Sequence, residues 1–145
     1  MTTTPEPEVK IVFARQSHHH AWHAELFDKV LPLANGFTVD GLVTAPNAEW
    51  SALVDDVAAL SSTGDRLVGA YEVLMPATLA EYEQWLRIAD PVRDAPLRRW
   101  LGFVIADVAA DLVEGRAALA ASGTADAAPH RPELLAAVRD AGSLL

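Results

Sequence analysis

Apolar residues recur at the 3.6-residue helical period through four stretches of this chain, and segments rich in Pro, Gly, Ser and Asn separate them. From about Glu8 to about Leu33, Val9, Val12, Phe13, Phe27, Val30 and Leu31 share one face, and the Asn35-Gly36 pair supplies a left-handed stop. A second, weaker strip of the same helix carries Ile11, Trp22, Leu26 and Leu33. Phe37 to Ala45 is a connector whose alternation of Phe37, Val39 and Leu42 predicts no more than a short extended piece. One strand without a partner leaves strand content near zero. The next helix starts at Pro46 or Asn47, where proline suits a first turn and asparagine a cap, and it buries Trp50, Leu53, Val54, Val57 and Leu60.

Ser61 to Asp65 breaks the pattern and offers cap chemistry to a third helix over Asp65 to Ala89. Leu67, Val68, Tyr71, Leu74, Met75, Thr78, Tyr82, Trp85, Leu86 and Ala89 fall on one face of it. Pro76 projects opposite that face, so the expectation is one kinked, continuous helix. Asp90 to Pro96 is a turn. A fourth helix then runs from about Pro96 to about Ala121, burying Leu97, Leu101, Val104, Val108, Leu112, Gly115 and Leu119. Ser122 to Pro129 is a small, polar linker, and Pro132 opens a short tail helix with Leu134, Leu135 and Val138 inward. The chain thus divides into a polar, frayed lead-in over 1–8, a helical bundle over 9–121, and a linker with a short C-terminal helix over 122–145. The fold class expected is all-α, a four-helix bundle.

Composition narrows the partners. The 145 residues are 51% hydrophobic, enough for one core, and the net charge of −9 argues against a phosphate backbone as partner. The densest basic run is Arg98-Arg99. Without cysteine there is no disulfide, thiolate site or Cys nucleophile. The start has no signal pattern, and the most apolar run, Trp100 to Ala110, is broken by Asp107 and is too short to span a bilayer. A cytoplasmic protein without nucleic-acid or membrane partners is expected.

Candidate chemistry is concentrated in RQSHHHAWHAELF, Arg15 to Phe27, which holds four of the five histidines. Gln16, His20 and His23 fall in the middle of the apolar stripe and are expected to point inward. Buried polar groups there must be hydrogen-bonded or ligated. His20 and His23 are spaced i,i+3 and His19 and His23 i,i+4, so either pair can offer imidazole nitrogens to a transition metal. Further ligands would have to come from facing helices, where Asp111 lies at the edge of the fourth helix's stripe. The competing reading makes His20 and His23 core histidines held by Gln16, tyrosine hydroxyls or water. His18 and His19 face solvent or an interface, His130 caps or sits in a loop, and Asp107 with Asp111 reads mainly as a solvated face. Tyr71, Thr78 and Tyr82 line one face and can bond a ligand or simply fill the core. No GxSxG, phosphate loop, HExxH or GxGxxG occurs.

On the stretches ARQSHHHAWHAELFDKVLP and YEVLMPATLAEYEQWLRIADPVRDAPLRRWLGFVIADVAADLVEG, the chain resembles the ferritin-like superfamily over most of Glu8 to Ala121. The resemblance implies a four-helix bundle with inward carboxylates and two Glu-x-x-His motifs around a dinuclear metal centre. In register, those motifs fall on His20-Ala21-Trp22-His23 and Val108-Ala109-Ala110-Asp111, and neither has the glutamate. Val108 cannot ligate, and Asp111 stands where the family has histidine.

The function expected is that of a degenerate ferritin-like bundle acting as a binding or structural subunit, without cofactor, as a homodimer or beside another protein. Ile11, Trp22 and Leu26 would form its interface, unless the tail helix covers that strip. The competing expectation is a non-haem oxidoreductase holding iron or zinc through His20, His23 and Asp111, with Gln16 orienting them from behind. A third is a small-molecule pocket among Tyr71, Tyr82 and the histidines.

Overall fold

The computed structural model describes residues 4–31, 36, 38–123 and 129–142, apart from the side chains of 39 and 40. Helix α1 spans Pro7–Asp28, with Pro7 in its first turn, where the missing N–H has no intrahelical partner to lose. It ends before Leu31, several residues earlier than the apolar pattern suggests. Leu33, Asn35 and Phe37, which bear on its stop and on the connector, lie outside the described residues. Gly36 does adopt a positive φ of 92°. The anticipated extended piece is instead a helical turn, α2 (Val39–Leu42), whose Gly41 N–H donates to Thr38 Oγ1 at 3.2 Å. That local bond offers the backbone an alternative to extension.

Asn47 caps α3 (Ala48–Ala59), its side chain accepting from the Trp50 N–H at 2.8 Å. Ser62 caps α4 (Thr63–Val68) in the same way, accepting from the Asp65 N–H and donating to the Asp65 carboxylate. Residues of the polar lead-in dock here instead of fraying: Thr63 Oγ1 donates to Glu6 at 2.6 Å, and Thr4 is buried beside Arg66. Gly69–Leu74 then forms a π-helical segment that leads without a break into α5 (Met75–Ile88). The anticipated continuous helix is present, and the bonding pattern loosens before Pro76, where an α-turn would drive the ring against the preceding carbonyl. Arg98 closes the far end by donating to the Leu86 and Ala89 carbonyls at 2.7 and 2.8 Å. Helix α6 (Ala95–Ser122) follows, ended by Gly123 in the left-handed region, and α7 (Arg131–Ala141) completes the chain. No strand occurs among the described residues, and no helix there is long and apolar enough to cross a membrane.

Two hydrophobic clusters, not one, hold these helices. The first joins Val9 and Leu26 of α1 to Leu67, Val68, Tyr71 and Met75, and to Val104, Val108, Leu112 and Leu119 of α6. The second joins Trp50, Leu53 and Val57 of α3 to Val73 and to Leu134 and Ala141 of α7. The α4–π–α5 rod lies between them and is buried on two sides. Gly69 makes the second contact close, because a β-carbon there would sit 2.7 Å from Val57 Cγ1. The result is a helical bundle of α1, the rod and α6, with α3 and α7 packed as a pair on the rod's other side. Helix α3 has no extended packing against α1 or α6, so the simple four-helix arrangement is replaced by three helices plus a pair. Val54, expected inside, is exposed because α3 turns only one narrow face to the rod.

Helix α7 is therefore core, not a loose tail. Glu72 pairs with Arg131 at 2.7 Å, Asn47 Nδ2 donates to the Ala141 carbonyl at 3.1 Å, and Trp50 Nε1 donates to the Gly142 carbonyl at 3.2 Å. These bonds place α7 on α3 and on the π-helical segment of the rod, without extended packing against α1.

Candidate functional site

Helices α1 and α6 run antiparallel, and both carry polar residues at spacings of about one turn. Arg15, Gln16, His19 and His23 on α1 therefore meet Glu114, Asp111 and Asp107 on α6 in descending order. Arg15 pairs with Glu114, His19 Nδ1 lies 2.8 Å from Asp111 Oδ2, and His23 Nε2 lies 3.1 Å from Asp107 Oδ2. Gln16 fills the gap between the first two rungs. Its Nε2 donates to the Asp111 carbonyl at 3.1 Å and to Glu114 at 3.2 Å, and its Oε1 accepts from the Tyr71 hydroxyl at 2.8 Å. The amide is thus bonded at both ends, as a group only 3% exposed requires.

The electrostatics follow from burial and pairing. Hydrogen bonds from Arg15 and then Gln16 hold the Glu114 carboxyl below its ordinary range. Burial, reinforced by Asp111 and Glu114, pushes the Tyr71 phenol far above its ordinary value, so it stays a neutral donor to Gln16. Partial desolvation of its ring, with His23 adding like-charge repulsion, pushes His20 below the ordinary histidine pKa although the residue keeps an exposed side.

The expected inward histidines divide. His23 is 2% exposed and sits in the seam, whereas His20 is exposed and beside it, its ring edge-on to that of His23 at 5.9 Å. His19, assigned to solvent by the wheel, takes the inward bond to Asp111 instead. The reason is that α1 turns two polar strips toward α6: Gln16 and His23 lie at the centre of the seam and His19 at its rim. Asp111, placed at the stripe's edge and read with Asp107 mainly as a solvated face, is buried, while Asp107 stays partly exposed and pairs with His23. Tyr71 joins the histidine helix through Gln16 and stacks on Phe13. Tyr82 does not: it packs on Phe27 and Trp85, more than two turns further along the rod. Leu26 is 3% exposed and belongs to the core, not to an interface, while Ile11 and Trp22 remain 65% and 40% exposed.

These donors do not fit the dinuclear centre that the ferritin-like resemblance implies. Val108 fills the core at one motif position, His20 bonds no carboxylate among the described residues, and His23 faces the single aspartate Asp107 across the seam. Among the described residues, no three His, Asp or Glu side chains converge as a metal-binding group. One polar atom is left over: His23 Nδ1 is buried and has no hydrogen-bond partner.

Comparison of the chain with protein-family models, curated proteins and solved structures gives no match.

Proposed function

We propose that this chain is a binding or structural subunit built on a degenerate ferritin-like bundle, in which the former ligand positions serve as a hydrogen-bonded seam between α1 and α6. The observation that carries this reading is the one-to-one pairing of His19 with Asp111 and of His23 with Asp107, beside a Gln16 amide bonded at both ends. Asp107 holds His23 through Nε2 and His19 occupies one oxygen of Asp111, so each of these side chains already has a partner across the seam. The subunit associates with a second copy through α1. Support for this comes from Trp22, which α7 leaves uncovered, and from Phe103, 45% exposed and one turn beyond Asp107 on the facing helix.

Titration of chelator-treated protein with zinc, and with ferrous iron under anaerobic conditions, tests the proposal by calorimetry. The expected result is no saturable binding. Stoichiometric binding that disappears in both His20→Ala and His23→Ala would instead favour a metal-dependent oxidoreductase, with the unpartnered His23 Nδ1 and Asp111 as ligands.

A further inference from the structure

Two cavities lie on either side of Leu74 and Thr78, and both residues line both cavities. One, of about 320 Å³, reaches toward α1 and is bounded by Gln16, Ser17, His20 and Tyr71. The other, of about 480 Å³, reaches toward α3 and is bounded by Trp50, Ser51, Val54 and Asp55. Sharing these two wall residues, they adjoin across the rod, each of a size suited to a small molecule, so that a ligand spanning both would lie in a single groove.

The π-helical segment forms the floor: Ala70, Tyr71 and Leu74 belong to it and line the α1 side. Helical irregularities of this kind are commonly kept where a ligand is accommodated. The Thr78 hydroxyl donates to the Leu74 carbonyl at 2.9 Å, which leaves the hydroxyl oxygen to accept. The walls are mostly aliphatic and aromatic.

Charge selects among apolar ligands. Neither cavity is lined by Lys or Arg, and the one carboxylate, Asp55, stands at the α3 end. At the α1 end the polar groups are the Gln16 amide, the Ser17 hydroxyl and the His20 imidazole, none of them a fixed charge. An anionic head group would find no counter-charge at either end, and Asp55 would repel it at one.

We propose that this groove binds elongated, largely apolar molecules whose polar group is uncharged, with that group hydrogen-bonded at the Ser17, His20 and Thr78 end and the apolar body running to Trp50 and Val54. This gives the binding role proposed above a ligand class and a location. It depends on that role but not on the seam being metal-free, so the metal titration and the following experiment fail separately.

The full chain is titrated near neutral pH with N-phenyl-1-naphthylamine, an uncharged probe whose emission rises in apolar sites. The bound probe is then displaced with 1-dodecanol or dodecanoate. The expected result is saturable enhancement at one probe per chain, displaced by the alcohol, with dodecanoate weaker by about tenfold or more. Val54→Glu and Ser51→Trp alter exposed positions on α3, and both should keep the wild-type melting curve while weakening the probe by about tenfold. His20→Lys supplies the missing counter-charge and should bring dodecanoate up to the affinity of the alcohol. Non-saturable enhancement, probe binding unchanged in both α3 variants, or equal competition by alcohol and carboxylate in the wild type would each overturn the proposal.

Discussion

Tyr71 lies so close over Gly115 that a β-carbon on that glycine would overlap the tyrosine ring at Cδ1, Cε1 and Cζ. The absent side chain on α6 is what lets the phenol reach across the first core to Gln16 on α1. Gly115→Ala should therefore destabilise the protein by about 1–3 kcal/mol, the range for overpacking a core, even though alanine is the better helix former by about 1 kcal/mol. Gly102, in the same helix with open space at its β-position, is the control. Gly102→Ala should stabilise by about 0.5–1 kcal/mol in urea unfolding. Equal effects of the two substitutions would remove the packing argument.

The second core makes its own prediction. Leu134 is 5% exposed between α3 and the rod, so Leu134→Ala should cost about 2–5 kcal/mol, as for a leucine in any closed core. A change under about 0.5 kcal/mol, typical of surface sites, would mean that α7 is only loosely attached.

How much of this was legible in the sequence depends on what each helix faces. The α6 stripe was readable apart from its first turn: Leu101, Val104, Val108, Leu112, Gly115 and Leu119 are all buried because one apolar face meets one core, while Leu97 is only partly covered. The rod was half readable. Its period gave Leu67, Val68, Tyr71 and Met75, but a wheel drawn for a single face cannot assign Val73, which points to a second core that only the tertiary arrangement creates. The seam was the least readable part. His19 and His20 differ by one step of the wheel, and which of them bonds α6 depends on the rotation of α1 about its axis, set by the core contacts of Val9 and Leu26 at its two ends. Asp107 looked solvated for the same reason: its partner, His23, lies on another helix 84 residues away in sequence.

His20 gives the pH dependence a sign. Its folded pKa is depressed by desolvation and by His23, below the ordinary value of 6.5, so above 6.5 its contribution to stability is complete. As the pH falls past 6.5 the unfolded chain takes up a proton that folded His20 resists, and stability is lost until the folded value is reached. His20→Gln leaves the other charged groups of the seam in place, so the difference between the two proteins isolates this group. The melting temperature of His20→Gln should fall less steeply with acidification than that of wild type. A steeper fall would reverse the assigned direction.

Trp22 should anchor self-association. Sedimentation at micromolar concentrations should find a dimer, and Trp22→Ala, at a position 40% exposed, should weaken it by about 2 kcal/mol if the residue is a hot spot. Monomeric wild type would remove the dimer.

The seam histidines and aspartates are engaged with each other, and a double-mutant cycle on His23 and Asp107 measures that engagement. Unfolding free energies are measured for wild type, His23→Ala, Asp107→Ala and the double variant in the presence of chelator. The pairing across 3.1 Å predicts a coupling energy of about 1 kcal/mol or more, with the double variant less destabilised than the sum of the singles. Additive effects within about 0.3 kcal/mol would contradict the account, because they would mean the two side chains are neighbours without being partners.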